Sequence, residues 1–111
     1  MSAARAAAVV ILGLLYDAEY DLVERLTRGR RLTAADIGDA IARTGLHLQR
    51  PADETLGDDI VFEELAHGEF LARCFLHSIE DDGLPDLEVL IRLTPISFNL
   101  YRTSVEDIRV P

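Results

Sequence analysis

The sequence has no lysine and no tryptophan, a single cysteine, a single methionine and only 6% aromatic residues. The lone Cys74 cannot form an intramolecular disulfide, and no cluster of Cys and His is present, which excludes the structural zinc patterns. One free thiol fits a reducing cytoplasm. All 11 basic residues are Arg; together with abundant Ala, Leu and Asp, this points to a GC-rich coding bias rather than to a site. A long hydrophobic run is also missing. Ala6 to Tyr16, AAAVVILGLLY, follows Arg5 and reaches only about half the length of a membrane span. The acidic stretch Asp17-Ala18-Glu19-Tyr20-Asp21 follows it without a small-x-small cleavage site, so the run reads as a buried first helix, not as the core of a signal peptide. Glycine-rich phosphate loops, GxSxG and HExxH are absent, and no cofactor is expected.

Positive charge is scarce. Twenty acids against 11 arginines give a net charge of −9 and a pI near 4.6. Such a chain repels phosphate backbones and anionic lipid, which disfavours nucleic-acid and membrane binding and favours a basic protein partner. The imbalance is local. Residues 1–50 hold seven Arg and six acids, a balance of +1, whereas residues 51–111 hold four Arg and fourteen acids, a balance of −10.

With 111 residues and 49% hydrophobic content, the chain suffices for one domain, 1–111, around one core. Residues 3–15 predict a helix apolar on nearly every side, hence covered on several sides. Tyr20, Leu22, Val23 and Leu26 recur at helical spacing and either continue that helix or begin a second after a kink near Asp17. Gly29 suits the left-handed position after it. Thr33 with Asp36 forms a cap for a third helix, with Ile37, Ala40 and Ile41 as its buried stripe and Gly45 as its stop.

Beyond the polar loop 51–58 the period changes to two. Strands are predicted at Ile60–Ala66, Glu69–Ile79, Leu87–Leu93, and Phe98–Val105 with Ile108–Val110. His67-Gly68 forms a turn, Pro95 bends or breaks the chain, and a bulge falls near Glu106-Asp107. The fold class is therefore α+β: two or three N-terminal helices (1–50) packed on one face of a four-stranded antiparallel meander (51–111). Phe70, Ala72, Cys74 and Leu76 with Leu87, Val89, Ile91 and Leu93 make a clean core face. The opposite face mixes Leu71, Phe75, Ile79 and Leu90 with Arg73, His77, Glu88 and Arg92. That is more apolar than a solvated face requires, and it suggests a pocket, a partner site or a homodimer interface.

Two acidic groups stand out, Asp58-Asp59 with Glu63-Glu64, and Glu80-Asp81-Asp82 with Asp86. They read either as solvated turns and edge protection or as a patch for a basic partner. Asp81, Asp82 and Asp86 lack the alternating ligand spacing of a calcium loop, and His47, His67 and His77 are too scattered for a metal site. Catalysis has weak candidates only: His77 and Tyr101, on a face expected to hold Arg73, Glu88 and Arg92 as well. Cys74 is expected in the core. Arg28, Arg30 and Arg31 read as compensation for a helix dipole rather than as a phosphate site.

The pattern Leu14-Leu15-Tyr16-Asp17-Ala18-Glu19-Tyr20-Asp21-Leu22-Val23-Glu24-Arg25-Leu26 is similar to the opening of NTF2-like and cystatin-like cone domains, whose enzymes usually carry a His-Asp or Tyr-Asp pair inside the cone. The segment Arg31-Leu32-Thr33-Ala34-Ala35-Asp36-Ile37, with Gly45 and the closing Val105-Glu106-Asp107-Ile108-Arg109-Val110, resembles a small bacterial α+β domain family. Acidic one-domain proteins of this kind resemble the immunity proteins that are paired with secreted bacterial toxins. That resemblance implies a cytoplasmic inhibitor of a basic protein. The cone resemblance implies the alternative, a pocket that binds or converts a small molecule.

Overall fold

A computed structural model describes residues 2–58, 60–78 and 87–110. The chain is α+β: helices α1 (Ser2–Tyr16), α2 (Tyr20–Thr27) and α3 (Ala34–Ala42) precede strands β1 (Ile60–Glu64), β2 (Phe70–Leu76), β3 (Leu87–Ser97) and β4 (Leu100–Arg109). The strands pair antiparallel in the order β1-β2-β3-β4, a meander, and the helices pack on one face of it. No helix among the described residues is long and apolar enough to cross a membrane.

The break between α1 and α2 falls where the acidic residues begin. Ala18 adopts a left-handed conformation, φ 58°, which lets Glu19 N–H reach back to the Leu14 carbonyl and close the helix. The end of α2 uses two left-handed residues, Arg28 as well as the expected Gly29. The predicted capping box on α3 is present, with Thr33 and Asp36 bonding each other's backbone N–H groups. Glu24 Oε1 accepts from Ala34 N at 2.7 Å and so ties α2 to the start of α3.

The core lies between α1 and the inner sheet face. Ala72, Cys74 and Leu76 of β2 and Leu87, Val89, Ile91 and Leu93 of β3 are fully buried, as predicted, against Ala4, Ala8, Ile11, Leu12 and Leu15 of α1. Helix α1 is covered on several sides, as its all-round apolarity implies: by the sheet, by α2 and, at Val9 and Gly13, by residues 50–57, with Val10 left 53% exposed. One expectation needs correction. On α2 the buried pair is Val23 and Thr27, while Leu26 turns outward; the Thr27 hydroxyl is buried at no polar cost because it donates to the Val23 carbonyl at 2.9 Å.

The sheet also departs from the predicted boundaries at both ends. Strand β1 stops at Glu64 and β2 begins at Phe70, around a short turn in which His67 and Gly68 are both left-handed. Pro95 does not break β3. It lies past Leu93, where β2 has already ended, so its missing N–H deprives no neighbour on that side, and β3 runs on to Ser97. Phe98 and Asn99 form the turn rather than the start of β4. The predicted bulge is present: the register shifts so that Leu90 faces Asp107 but Ile91 faces Val105. The extra residue lets Val105 and Ile108 both face inward while Glu106 and Asp107 stay outside.

The loop at 51–58 is less detached than its polarity suggests. It carries a short 3-10 helix, Asp53–Thr55, and drops Leu56 into the core. Gly57 lies so close to α1 that a Cβ there would come within 2.8 Å of Val9.

Truncation of Leu15, 1% exposed and between helix and sheet, is expected to cost about 2–5 kcal/mol. Chemical denaturation of Leu15→Ala measures it; an unchanged midpoint and slope would show that the core is placed wrongly.

Candidate functional site

The outer sheet face is built by the alternation that fills the core. Val61 and Glu63 of β1, Leu71, Arg73 and Phe75 of β2, and Glu88, Leu90, Arg92 and Thr94 of β3 all point away from the helices, opposite Ser104, Asp107 and Arg109 of β4. Charges of opposite sign meet across strands. Glu88 accepts from Arg73 Nε and Nη2 at 3.1 and 2.9 Å, and its other oxygen accepts from Arg109 Nε. Arg92 pairs with Glu69 at 3.5 Å and with Glu106 at 3.4 Å. Thr94 and Ser104 hydroxyls donate to the same two glutamates, each at 2.7 Å. The Arg73 guanidinium lies 5.5 Å from the Phe75 ring centroid.

Glu88 is the anchor of this lattice. Its side chain is only 3% exposed, whereas its arginine partners are about half-exposed. Burial pushes its carboxyl up, but the hydrogen bonds and charges of Arg109 and Arg73 outweigh that and hold it below the usual glutamate range. Leu71, Phe75 and Leu90 lie between these pairs and are half-buried.

The five residues expected to share a pocket are divided among three places. Arg73, Glu88 and Arg92 belong to the lattice. Tyr101, opposite Pro95 in the register, lies on the inner side, where its ring packs 6.3 Å from Phe70. Tyr101 lies four residues before Val105 in unbroken alternation and so shares its inner face with Thr103 and Val105. His77 lies past the end of β2, where its N–H donates to the Tyr16 hydroxyl at 3.1 Å and its carbonyl accepts from Gln49 N at 3.0 Å. There it lines a cleft of about 470 Å³ with Tyr16, Arg50, Asp58 and Phe75. Arg50 braces that cleft through the Gly13 carbonyl at 3.1 Å, Asp17, and Asp53 at 3.1 Å.

Of the acidic groups, Asp58 is exposed and pairs loosely with Arg5 at 3.8 Å. Glu63 and Glu64 are exposed on β1. Asp59, Glu80, Asp81, Asp82 and Asp86, like Ile79, lie outside the described residues. Cys74 is fully buried, and burial pushes its thiol up to about 12, which rules out a thiolate at neutral pH. Among the described residues no three His, Cys, Asp or Glu side chains converge as a metal site would require.

Sequence reasoning missed Glu69, Glu106 and Arg109 as partners in the lattice. Arg109 follows from strand alternation once the bulge is fixed, but Glu106 is the bulge residue itself, and a period of two cannot place it. Comparison of the chain with protein-family models, curated proteins and solved structures finds no match in any of the three.

A carboxylate held below its ordinary range stabilises the fold above its unfolded pKa, about 4.3, and that contribution is lost as pH falls through the lower folded value. Glu88→Gln is therefore expected to melt lower than wild type at pH 7, with the gap closing on acidification below pH ~4. A gap that is absent at neutral pH, or constant across the acid limb, would contradict the lattice.

Proposed function

We propose that the chain is a cytoplasmic binding protein of the immunity or inhibitor type, capturing a basic partner protein through the acidic surface of its sheet half. One observation carries this reading. The outer-face arginines Arg73, Arg92 and Arg109 are engaged by carboxylates, whereas Glu63 and Glu64 stand exposed on β1 with no ion pair among the described residues. Two of the fourteen acids of residues 51–111 are thus left uncancelled on a strand with a single neighbour. A field of this kind accelerates encounter with a positive surface and does little to hold the complex once formed.

Affinity capture at low salt, followed by association kinetics with the retained protein, tests this. A basic partner is expected whose association slows steeply between roughly 50 and 300 mM salt while dissociation changes little. Paired Glu63→Arg and Glu64→Arg substitutions should slow capture further. Association indifferent to salt and to charge reversal would contradict the proposal.

The cleft around His77 supports a second reading, in which a small molecule is bound or converted beside Tyr16, Arg50 and Asp58. A substrate screen separates the two: turnover that is present in wild type and lost in His77→Ala would favour the cleft, while inhibitor-type binding alone predicts no turnover in either.

A further inference from the structure

Arg28, Arg30 and Arg31 at the end of α2 and Arg102 on β4 have no ion-pair partner among the described residues. In a chain of charge −9, unneutralised arginines gathered together require a cause. Compensation of the α2 dipole accounts for Arg28, Arg30 and Arg31, which follow its last turn. It does not account for Arg102, which arrives from the sheet and joins them.

Arg28, Arg30 and Arg102 line one cleft of about 340 Å³ together with Leu26, Ile96 and Tyr101. They are close enough that Arg102 and Arg28 repel the charge of Arg30. Leu26 and Ile96 are about half-exposed and give the cleft an apolar side. Arg30 is held in place by a hydrogen bond from Nη2 to the Thr103 carbonyl at 3.0 Å, yet its Nε is buried and bonds to nothing. A fixed guanidinium, two exposed ones beside it and an apolar wall make a site complementary to an anion.

We propose that this cleft binds a small organic anion, a phosphate or carboxylate carried on an aromatic or branched aliphatic body. The anion relieves the mutual repulsion of three guanidinium groups and accepts charge-assisted hydrogen bonds from their accessible N–H groups. The apolar body covers Leu26, Ile96 and the Tyr101 ring. The negative end of the short α2 dipole opposes an anion with a partial charge, and three full positive charges outweigh it.

Calorimetric titration of the full chain with 1-naphthyl phosphate, inorganic phosphate and 1-naphthol, combined with amide chemical shifts, tests the proposal. The expected result is one saturable site for 1-naphthyl phosphate, about tenfold or more tighter than for either fragment, with shifts confined to Leu26, Arg28, Ile96 and Tyr101. Arg28→Gln and Arg102→Gln, both exposed positions, should each weaken it about tenfold without lowering the melting temperature. Arg30→Gln is the less useful variant, because its bond to Thr103 also supports the fold. Failure of 1-naphthyl phosphate to saturate, or unchanged binding in both exposed variants, would overturn the proposal. So would sedimentation with phosphatidylglycerol vesicles in the absence of any binding to the soluble probe, since that assigns the arginines to a membrane surface.

Discussion

Burial of α1 against the inner sheet face is the constraint on which the rest of the molecule depends. A helix carrying Ile11, Leu12 and Leu15 must cover those side chains, and only a sheet face uniformly apolar over two central strands does so. Ala72, Cys74 and Leu76 on β2 and Leu87, Val89, Ile91 and Leu93 on β3 meet that need. Because strand side chains alternate, every residue between them is driven to the other face. The charges of Arg73, Glu88 and Arg92 are therefore outside because the core is inside. The bulge at Glu106 serves the same end, since without it Ile108 and Asp107 would exchange faces.

The charged residues then sort by context. On the outer face, strands about 4.8 Å apart put arginine beside glutamate, and Glu88, held by Arg73 and Arg109, is almost wholly covered. Each such pair is worth little when exposed; a continuous lattice with hydroxyl donors at Thr94 and Ser104 is better ordered than isolated pairs. Two edge segments escape such cancellation among the described residues. Glu63 and Glu64 lie on β1, and Arg102 lies on β4 beside Arg28 and Arg30. A molecule that is strongly acidic in sum thus carries a balanced face, an acidic edge and a basic cleft.

Much of this was legible in the sequence because it rests on local signals. The Thr33 and Asp36 cap, the break after Asp17, the alternation through β2 and β3 and the bulge near Glu106 each follow from a short run of residues. The residues expected to share a pocket, His77, Arg73, Arg92 and Tyr101, are separated for two reasons, one local and one not. Tyr101 has the same phase as the buried Val105, four residues on, and so faces the core rather than Arg73 and Arg92. His77 lies beyond the last paired residue of β2, where the Gln49 and Tyr16 contacts direct it. The approach of Arg102 to Arg28 and Arg30 joins residues far apart in the chain, and no pattern within either segment announces it.

The division of surface charge can be read directly from the paramagnetic relaxation of amide protons by a cationic and an anionic nitroxide cosolute, compared residue by residue. Amides near Glu63 and Glu64 should be relaxed more by the cation, those near Arg28, Ile96 and Arg102 more by the anion, and those between Arg73, Glu88 and Arg92 about equally by both. Stronger relaxation by the cation over the whole surface, including the Arg28 and Arg102 cleft, would show a uniform acidic field and contradict this division.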